Sequence, residues 1–565
     1  MAIPRRFLAL ALVVFFPVAD VGAASLRSGS GAWCATSVRG GRDAAWAHRE
    51  QDARLRRTRI SSAAASFDVG QIAVLLDQGD LALPANVLDL QAAALRFSPS
   101  ADGYTVSRID LPMEPEAGTA LGLADDDSRQ VALGFAFPFF GKSYTEAFVN
   151  SDGNVTFGQK DDASTERNVG RLVGGPPRAA PLLADFDPSA GGSVSVSVMK
   201  DHATVTWSAV PQFGETDRNT FQVALWADGR VDFVYGQTLN AALDQGVAGI
   251  APGAPQAGLT AVDFSTAAKV SGGSGALAET FRAESAIDEV AVARRFYASH
   301  PDEYQQLVIY TSQRLVSSGT FAYSLPVKNG DRGIGEEVHD FSDVFGSAGK
   351  LETFIMMDAL SKYPDDLSRR FLGEDTALSV LAHEVGHRWL AYALFRDGSS
   401  NSTDLLGRDQ AHWSFFFDSD GSFLEGNDIQ DLGNGTFRTA GASLRYSALD
   451  QYLMGLRDAS EVPPVFVVRG PTGTDTDPGR TPRSGVSFSG TRKEVTVADI
   501  VAALGSRSPA GAPSTTAIRQ AFVYVAVGGA ADPQAIEKLE RIRAAWPAFF
   551  HEGADKRATV DPRLN

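Results

Sequence analysis

Leu381-Ala382-His383-Glu384-Val385-Gly386-His387-Arg388-Trp389 is the stretch on which the reading of this chain turns. Apolar residues surround its polar ones (Leu378, Val380, Leu381, Ala382, Val385, Trp389, Leu390), and their spacing predicts a buried helix over 376–396. Glu374, Asp375 and Thr376 offer capping groups at its start, and Gly398 a stop after its end. In a helix, side chains four apart lie one turn above each other on the same face. His383 and His387 can therefore grip one tetrahedral zinc, at about 2.0–2.1 Å from each imidazole. Glu384 can stand beside the ion without ligating it. There it would accept a proton from a water whose pKa zinc lowers from about 15.7 toward 7, and return it to a leaving amine. Gly386 costs a helix up to about 1 kcal/mol relative to alanine, so its place here predicts close packing.

A zinc site needs at least one more protein ligand. His412, in Gly407-Arg-Asp-Gln-Ala-His412-Trp413, is the first candidate, because imidazole is the commonest zinc partner. Asp450 and Glu425 are the alternatives. Asp450 lies in Tyr446-Ser-Ala-Leu-Asp450-Gln-Tyr452-Leu-Met-Gly455, which reads as a short helix, and Ser447 with Asp450 also matches a capping box. If His412 ligates, Asp450 can orient a histidine from behind; if Asp450 ligates, His412 can steady an oxyanion. Tyr446 and Tyr452 are further candidates for that stabilising role. Asp418, Asp420 and Glu425 in a glycine-containing loop could hold a structural calcium ion, although their spacing is not that of an EF-hand.

The string LAHEVGHRW resembles the zincin metallopeptidases, which implies a peptidase with a third ligand on a later segment. A metzincin continuation would need a glycine where Leu390 stands and a histidine where Ala393 stands, so that subclass does not fit. HWSFFFDSDGSFLEGN (412–427) and YSALDQYLMGLRDASEVPP (446–464) resemble secreted bacterial zincin-like proteins of unassigned substrate. A strand within Leu351–Met357 would align an extended peptide substrate by backbone pairing.

Upstream the pattern changes. Residues 66–255 alternate short Val, Thr, Phe and Tyr runs with Gly, Asp, Asn and Pro turns, which predicts an all-β sandwich. Examples are Val131–Phe139, Ala203–Val210 and Val231–Tyr235, with hairpin turns at Ser151-Asp-Gly-Asn154 and Ala227-Asp-Gly-Arg230. FAFPFFGKSYTEAFVNSDGNVTF (135–157), APLLADFDP (180–188) and NTFQVALWADGRVDFVYG (219–236) resemble nidogen-like extracellular β domains, which implies a binding or scaffolding role. Asp185 and Asp187 there read as loop carboxylates that accept backbone N–H groups, with cation binding as the alternative. Residues 256–285, with Val270-Ser-Gly-Gly-Ser-Gly275, read as a linker, and 286–565 as an α+β zincin-like peptidase domain.

The N-terminus predicts export. Arg5 and Arg6 precede an apolar run, Phe7–Val18, followed by Gly22, Ala23 and Ala24, which describes a signal peptide over 1–24. The run is short of the roughly 20 residues a membrane span needs. Residues 25–65 read as a leader or pro-segment holding the only cysteine, Cys34, so no disulfide within one chain can support the fold. With 51 basic against 68 acidic residues, the net charge of −17 disfavours nucleic acid and anionic lipid as partners. Together these features predict a secreted, multidomain zinc endopeptidase acting on protein or peptide. The competing reading is a secreted adhesion or matrix-binding protein with a degenerate zincin domain.

Overall fold

The computed structural model describes residues 66–115, 118–164, 166–243, 245–254, 258–316, 320–441, 445–510 and 517–565. The signal peptide (1–24), the leader (25–65) and Cys34 lie outside the described residues. Along the chain, β1 (Ser66–Val69) and β2 (Ile72–Asp77) come first, and a long β excursion follows. Then come α1 (Glu289–Tyr297), β3 (Gln306–Thr311), β4 (Tyr323–Pro326), β5 (Thr353–Ala359) and α2 (Ala377–Gly386). Next are β6 (Trp413–Asp418), β7 (Glu425–Gly433), β8 (Thr436–Gly441), α3 (Ala448–Leu453), β9 (Val465–Thr472), β10 (Ser487–Val495) and α4 (Val497–Leu504). The last long elements are β11 (Ile518–Val527) and α5 (Pro533–Gly553).

A seven-stranded mixed sheet, ordered β1-β2-β11-β3-β5-β4 with Val560–Asp561 beside β11, supports the motif helix. The interior strands β2, β11, β3 and β5 run parallel, while β1 and β4 are antiparallel to their neighbours. Their near-continuous apolar runs (IAVLLD, QLVIYT, TFIMMDA) suit strands covered on both faces. Alternate side chains divide between two cores. Ala73, Leu75, Leu307, Ile309, Phe354 and Met356 pack with α1. Ile72, Val74, Val308, Tyr310, Ile355 and Met357 pack with α2 and α5. β6 to β10 close into a separate barrel, ordered β6-β7-β8-β10-β9, filled by Phe415, Phe416, Ile429, Phe437, Phe466, Val468 and Phe488.

The excursion between β2 and α1 is a two-sheet β-sandwich, and the chain as a whole is mostly β. Its seven- and eight-stranded sheets enclose Phe97, Phe137, Trp207, Phe221 and Phe233. Both expected hairpins form: Asn150 opposes Asn154, and Leu225 opposes Val231.

Four sequence expectations need correction. First, residues 66–77 belong to the C-terminal sheet, so the sandwich is inserted between two elements of that unit. An apolar strand such as IAVLLD carries no mark of which sheet it will join. Second, residues 256–285 are not a linker. Val270–Gly273 extends the eight-stranded sheet, and Ala276–Phe281 lies between Gly246–Ala251 and Leu259–Ala261. The glycines there serve close approach: a Cβ on Gly103 would sit 1.7 Å from the Gly273 carbonyl oxygen. Third, α2 ends at Gly386, with His387 as C-cap, and not at Arg396. Arg388 leaves the helix to pair with Glu352 at 2.8 Å, and the Trp389 indole donates to Asp331 at 3.1 Å. Fourth, β5 is flanked on both sides, so the strand expected to align a peptide has no free edge. Among the described residues β1 and β4 stand at the two ends of the strand order.

The insertion is joined by a short neck. Ala82–Leu83 pairs with Ala286–Ile287, and the Asp288 N–H donates to the Leu81 carbonyl at 2.8 Å. A chain beginning at residue 286 would lack Ile72, Val74 and Leu75, all fully buried. At about 1.5–3 kcal/mol each, that loss rivals a whole domain's stability of about 5–15 kcal/mol. It is expected to show no cooperative thermal transition in calorimetry. Replacing residues 81–287 by a short Gly/Ser loop keeps β2 and α1 and should leave one such transition.

Candidate metal centre

The motif helix starts with a reciprocal cap. Thr376 Oγ1 accepts the Ser379 N–H at 3.2 Å, and Ser379 Oγ accepts the Thr376 N–H at 2.8 Å. Its one-turn spacing brings His383 Nε2 to 3.0 Å from His387 Nε2. His412 joins them. The ring centroids are 4.7 Å (383–387), 5.1 Å (383–412) and 4.9 Å (387–412) apart. One nitrogen from each of the three lies within 4.8 Å of the others. His412 arrives on a tight turn, Arg408–Gln410, in which Asp409 and Gln410 take φ of 54° and 51°. Left-handed backbone at non-glycine residues persists where surrounding structure enforces it, and it is frequent at functional sites.

Backbone carbonyls orient all three rings. His383 Nδ1 faces the Phe423 carbonyl at 2.7 Å, His387 Nδ1 that of Leu390 at 3.0 Å, and His412 Nδ1 that of Arg408 at 2.9 Å. A carbonyl can only accept, so each Nδ1 carries the hydrogen and each Nε2 presents a lone pair inward. His412 Nε2 is buried with no hydrogen-bond partner in the described structure. Burial is the main cause that holds the three imidazoles neutral. It pushes His383 and His412 well below the usual range and His387 down to about 3, and the Arg408 charge adds to the effect on each. Three lone pairs pointed at one another repel unless a cation sits between them. Tetrahedral zinc bonds of about 2.05 Å imply nitrogens about 3.3 Å apart, close to the separation of His383 and His387. The donor set therefore fits zinc.

Gly386 and the turn before β7 explain the closeness of packing. A Cβ on Gly386 would lie 2.4 Å from Leu424 Cδ2 and 3.2 Å from Tyr446. Its absence lets the 422–425 turn reach the helix and place the Phe423 carbonyl on His383. Glu384 is fully buried, and its backbone carbonyl accepts the Ser324 hydroxyl of β4 at 2.5 Å. Its carboxylate charge acts on Lys362 and Tyr363, just after β5.

The alternative ligands are committed elsewhere. Asp450 accepts the Trp413 indole at 2.8 Å and the Ser447 N–H at 2.7 Å, so it caps α3 and holds the residue next to His412 instead of contacting a histidine. Glu425 makes a buried two-pronged pair with Arg408, at 2.8 and 3.2 Å. Tyr446 donates its hydroxyl to the Ala382 carbonyl at 2.6 Å, which removes it as an oxyanion donor, and Tyr452 is buried in the apolar core. The carboxylates grouped for a possible calcium are Asp418, Asp420 and Asp428, not Glu425. Arg408, which sequence reasoning missed, has no mark in the sequence beyond standing four residues before His412.

In the sandwich, Asp185 pairs with Arg167 at 2.8 Å, and Asp187 accepts the Ser189 N–H at 2.8 Å. Arg167 also holds Asp126 (2.8 Å) and Asp152 (2.9 Å) of the buried Asn150–Asn154 turn.

Comparison with known proteins bears on the sandwich and the helix that follows it. The family model described as NIDO related matches residues 100–297, so the inserted unit is a NIDO-related domain, with α1 at the end of the match. No curated protein and no solved structure matches the chain.

Two outcomes are expected. His412→Ala should fold yet lose stoichiometric zinc in metal analysis, whereas Asp450→Asn should lower the melting temperature and keep the metal. In the sandwich, burial and neighbouring carboxylates raise Asp125 and Asp126 to about 7, and burial first of all raises Asp185 to about 6. Raised carboxyls contribute stability that is full below the unfolded value of about 3.9 and is lost as pH rises through 6–7. The melting temperature of the sandwich should therefore climb between pH 7.5 and 5, and less so in Asp125→Asn/Asp126→Asn.

Proposed function

We propose that this chain is a secreted zinc-dependent endopeptidase carrying a NIDO-related accessory domain inserted into a zincin-like α+β catalytic unit. The observation that carries the reading is the convergence of His383, His387 and His412, neutral and with Nε2 inward, with the fully buried Glu384 next in sequence to His383. When bound, zinc would supply Lewis acidity, polarising a scissile carbonyl and acidifying a water toward neutral pH. The chain's own groups do the rest. Glu384 takes the proton from the attacking water and hands it to the departing amine. Ser324 ties β4, the strand beside β5, to the Glu384 carbonyl and so fixes the motif helix against the sheet. Substrate is thus protein or peptide.

Export is supported by the Arg5–Ala24 pattern, and no helix among the described residues is long and apolar enough to cross a membrane. A single cysteine leaves the fold dependent on its cores and on bound metal. A structural calcium at Asp418, Asp420 and Asp428 is a secondary part of the reading.

The NIDO-related match favours a second reading: an exported adhesion or matrix-binding protein whose zincin-like unit has lost turnover. Glu384 speaks against it, because a unit without turnover has no need of a fully buried carboxyl residue next in sequence to His383. Glu384→Ala decides between them. With casein or gelatin as substrate, the endopeptidase reading expects a fall in turnover of about 100-fold or more with zinc content unchanged. Equal clearance by wild type and variant would refute it.

A further inference from the structure

The turn between β6 and β7 touches both halves of the metal centre. At one end of the turn, the Phe423 carbonyl accepts His383 Nδ1–H at 2.7 Å. Two residues on, Glu425 grips the Arg408 guanidinium with both oxygens, at 2.8 and 3.2 Å. Arg408 in turn accepts His412 Nδ1–H on its carbonyl at 2.9 Å. Between these contacts, the Trp413 N–H donates to the Leu424 carbonyl at 3.0 Å. A helix ligand and the distant third ligand are therefore referenced to the same four residues, Ser422–Glu425. Arg408 and Glu425 are both buried, with 6% and 5% exposure. Glu425 holds φ of 79°, a left-handed backbone that the turn imposes on it.

The charges give the pair a second task. The Arg408 guanidinium lies close enough to act on all three imidazoles. An uncompensated cation there would repel a divalent ion. Glu425 cancels that charge at hydrogen-bonding distance while it fixes the side chain whose backbone aims His412.

We propose that Glu425, acting through Arg408, is a positioning residue for the metal centre: it fixes the direction of His412 and shields the incoming cation from the guanidinium. The proposal rests on the zinc reading above and deepens it. It makes no claim on catalysis by Glu425, which touches neither substrate nor metal.

The test is metal binding by the full chain, measured by chelator competition for Zn²⁺ and by the visible absorption of the Co²⁺-loaded protein. Glu425→Gln keeps the shape and removes the charge. It is expected to weaken zinc affinity by about 10–100-fold and to alter the intensity of the tetrahedral cobalt bands. Thr496→Ala, which removes the cap of α4 elsewhere, lowers stability but should leave both readouts unchanged. Arg408→Ala/Glu425→Ala should bind zinc no more weakly than the worse single variant, as two groups acting in one chain of contacts require. If Glu425→Gln does not fold, Arg408→Lys, which keeps the charge but not the fork, carries the same expectation of weakened affinity. Affinity within twofold of wild type and an unchanged cobalt spectrum in the folded variant overturn the proposal alone. A wild-type protein that takes up no zinc overturns the zinc reading and this proposal with it.

Discussion

Each of three buried imidazoles gives its Nδ1 hydrogen to a main-chain carbonyl, and the rest of the C-terminal unit is arranged around that fact. Carbonyls are rigid, cannot change tautomer and do not titrate, so they fix both the direction of each ring and which nitrogen faces inward. Phe423, Leu390 and Arg408 supply these acceptors from three different segments. For the three to coincide, the helix must end at His387, the chain must double back at Arg388, and the turn before β7 must press against Gly386. Each requirement is visible as a separate feature of the fold. Arg388 is clamped to Glu352 and Asn329, and Gly386 leaves no room for a side chain.

The sheet beneath explains why such a site can be held at all. α2 lies on a face whose parallel strands are covered on both sides, and β2 contributes a largely buried strand from the far end of the described chain. The sandwich departs and returns through a two-strand neck, so its own ionic cluster around Arg167 is built independently of the three-histidine cluster. Insertion of a domain at a surface crossover is tolerated because the entering and leaving strands already sit side by side. Asp288 bonding to Leu81 is that juxtaposition.

How much of this the sequence discloses follows from what letters can encode. Two histidines four apart predict one shared face of a helix, and that spacing survives into the structure at 3.0 Å between Nε2 atoms. His412 was legible only by type: its letter marks a donor, and nothing in the 24 intervening residues marks a chain reversal. Asp450 was indistinguishable from a ligand because a capping carboxylate and a coordinating one share a letter. The carbonyl acceptors are invisible in principle, since every residue has one. The barrel was missed because its strands GNDIQDLG and TFRTAG carry turn-forming residues that read as loop. The tail beyond His387 deceived in the opposite sense: Leu390, Ala391, Ala393 and Phe395 are buried, as a continuing helix would require, but buried in a chain that has already turned.

The buried ion pairs near the centre bear on what the fold is for. A buried pair often contributes less stability than well-packed apolar residues of the same volume, so stability alone gives no reason to keep Arg408 with Glu425, or Arg388 with Glu352 and Asp331. What these pairs do that leucine or methionine cannot is fix direction. The two-pronged Arg408–Glu425 contact admits one relative orientation of its segments, and Arg388 is fixed by single contacts to Glu352, Asn329 and Asp331. Arg388 fixes how the chain leaves His387, and Arg408 fixes how it arrives at His412. A centre that had decayed to a packing role would gain by losing both pairs, because the rings they aim would no longer need to converge. Both pairs are present here, and all three rings they help aim converge on one point.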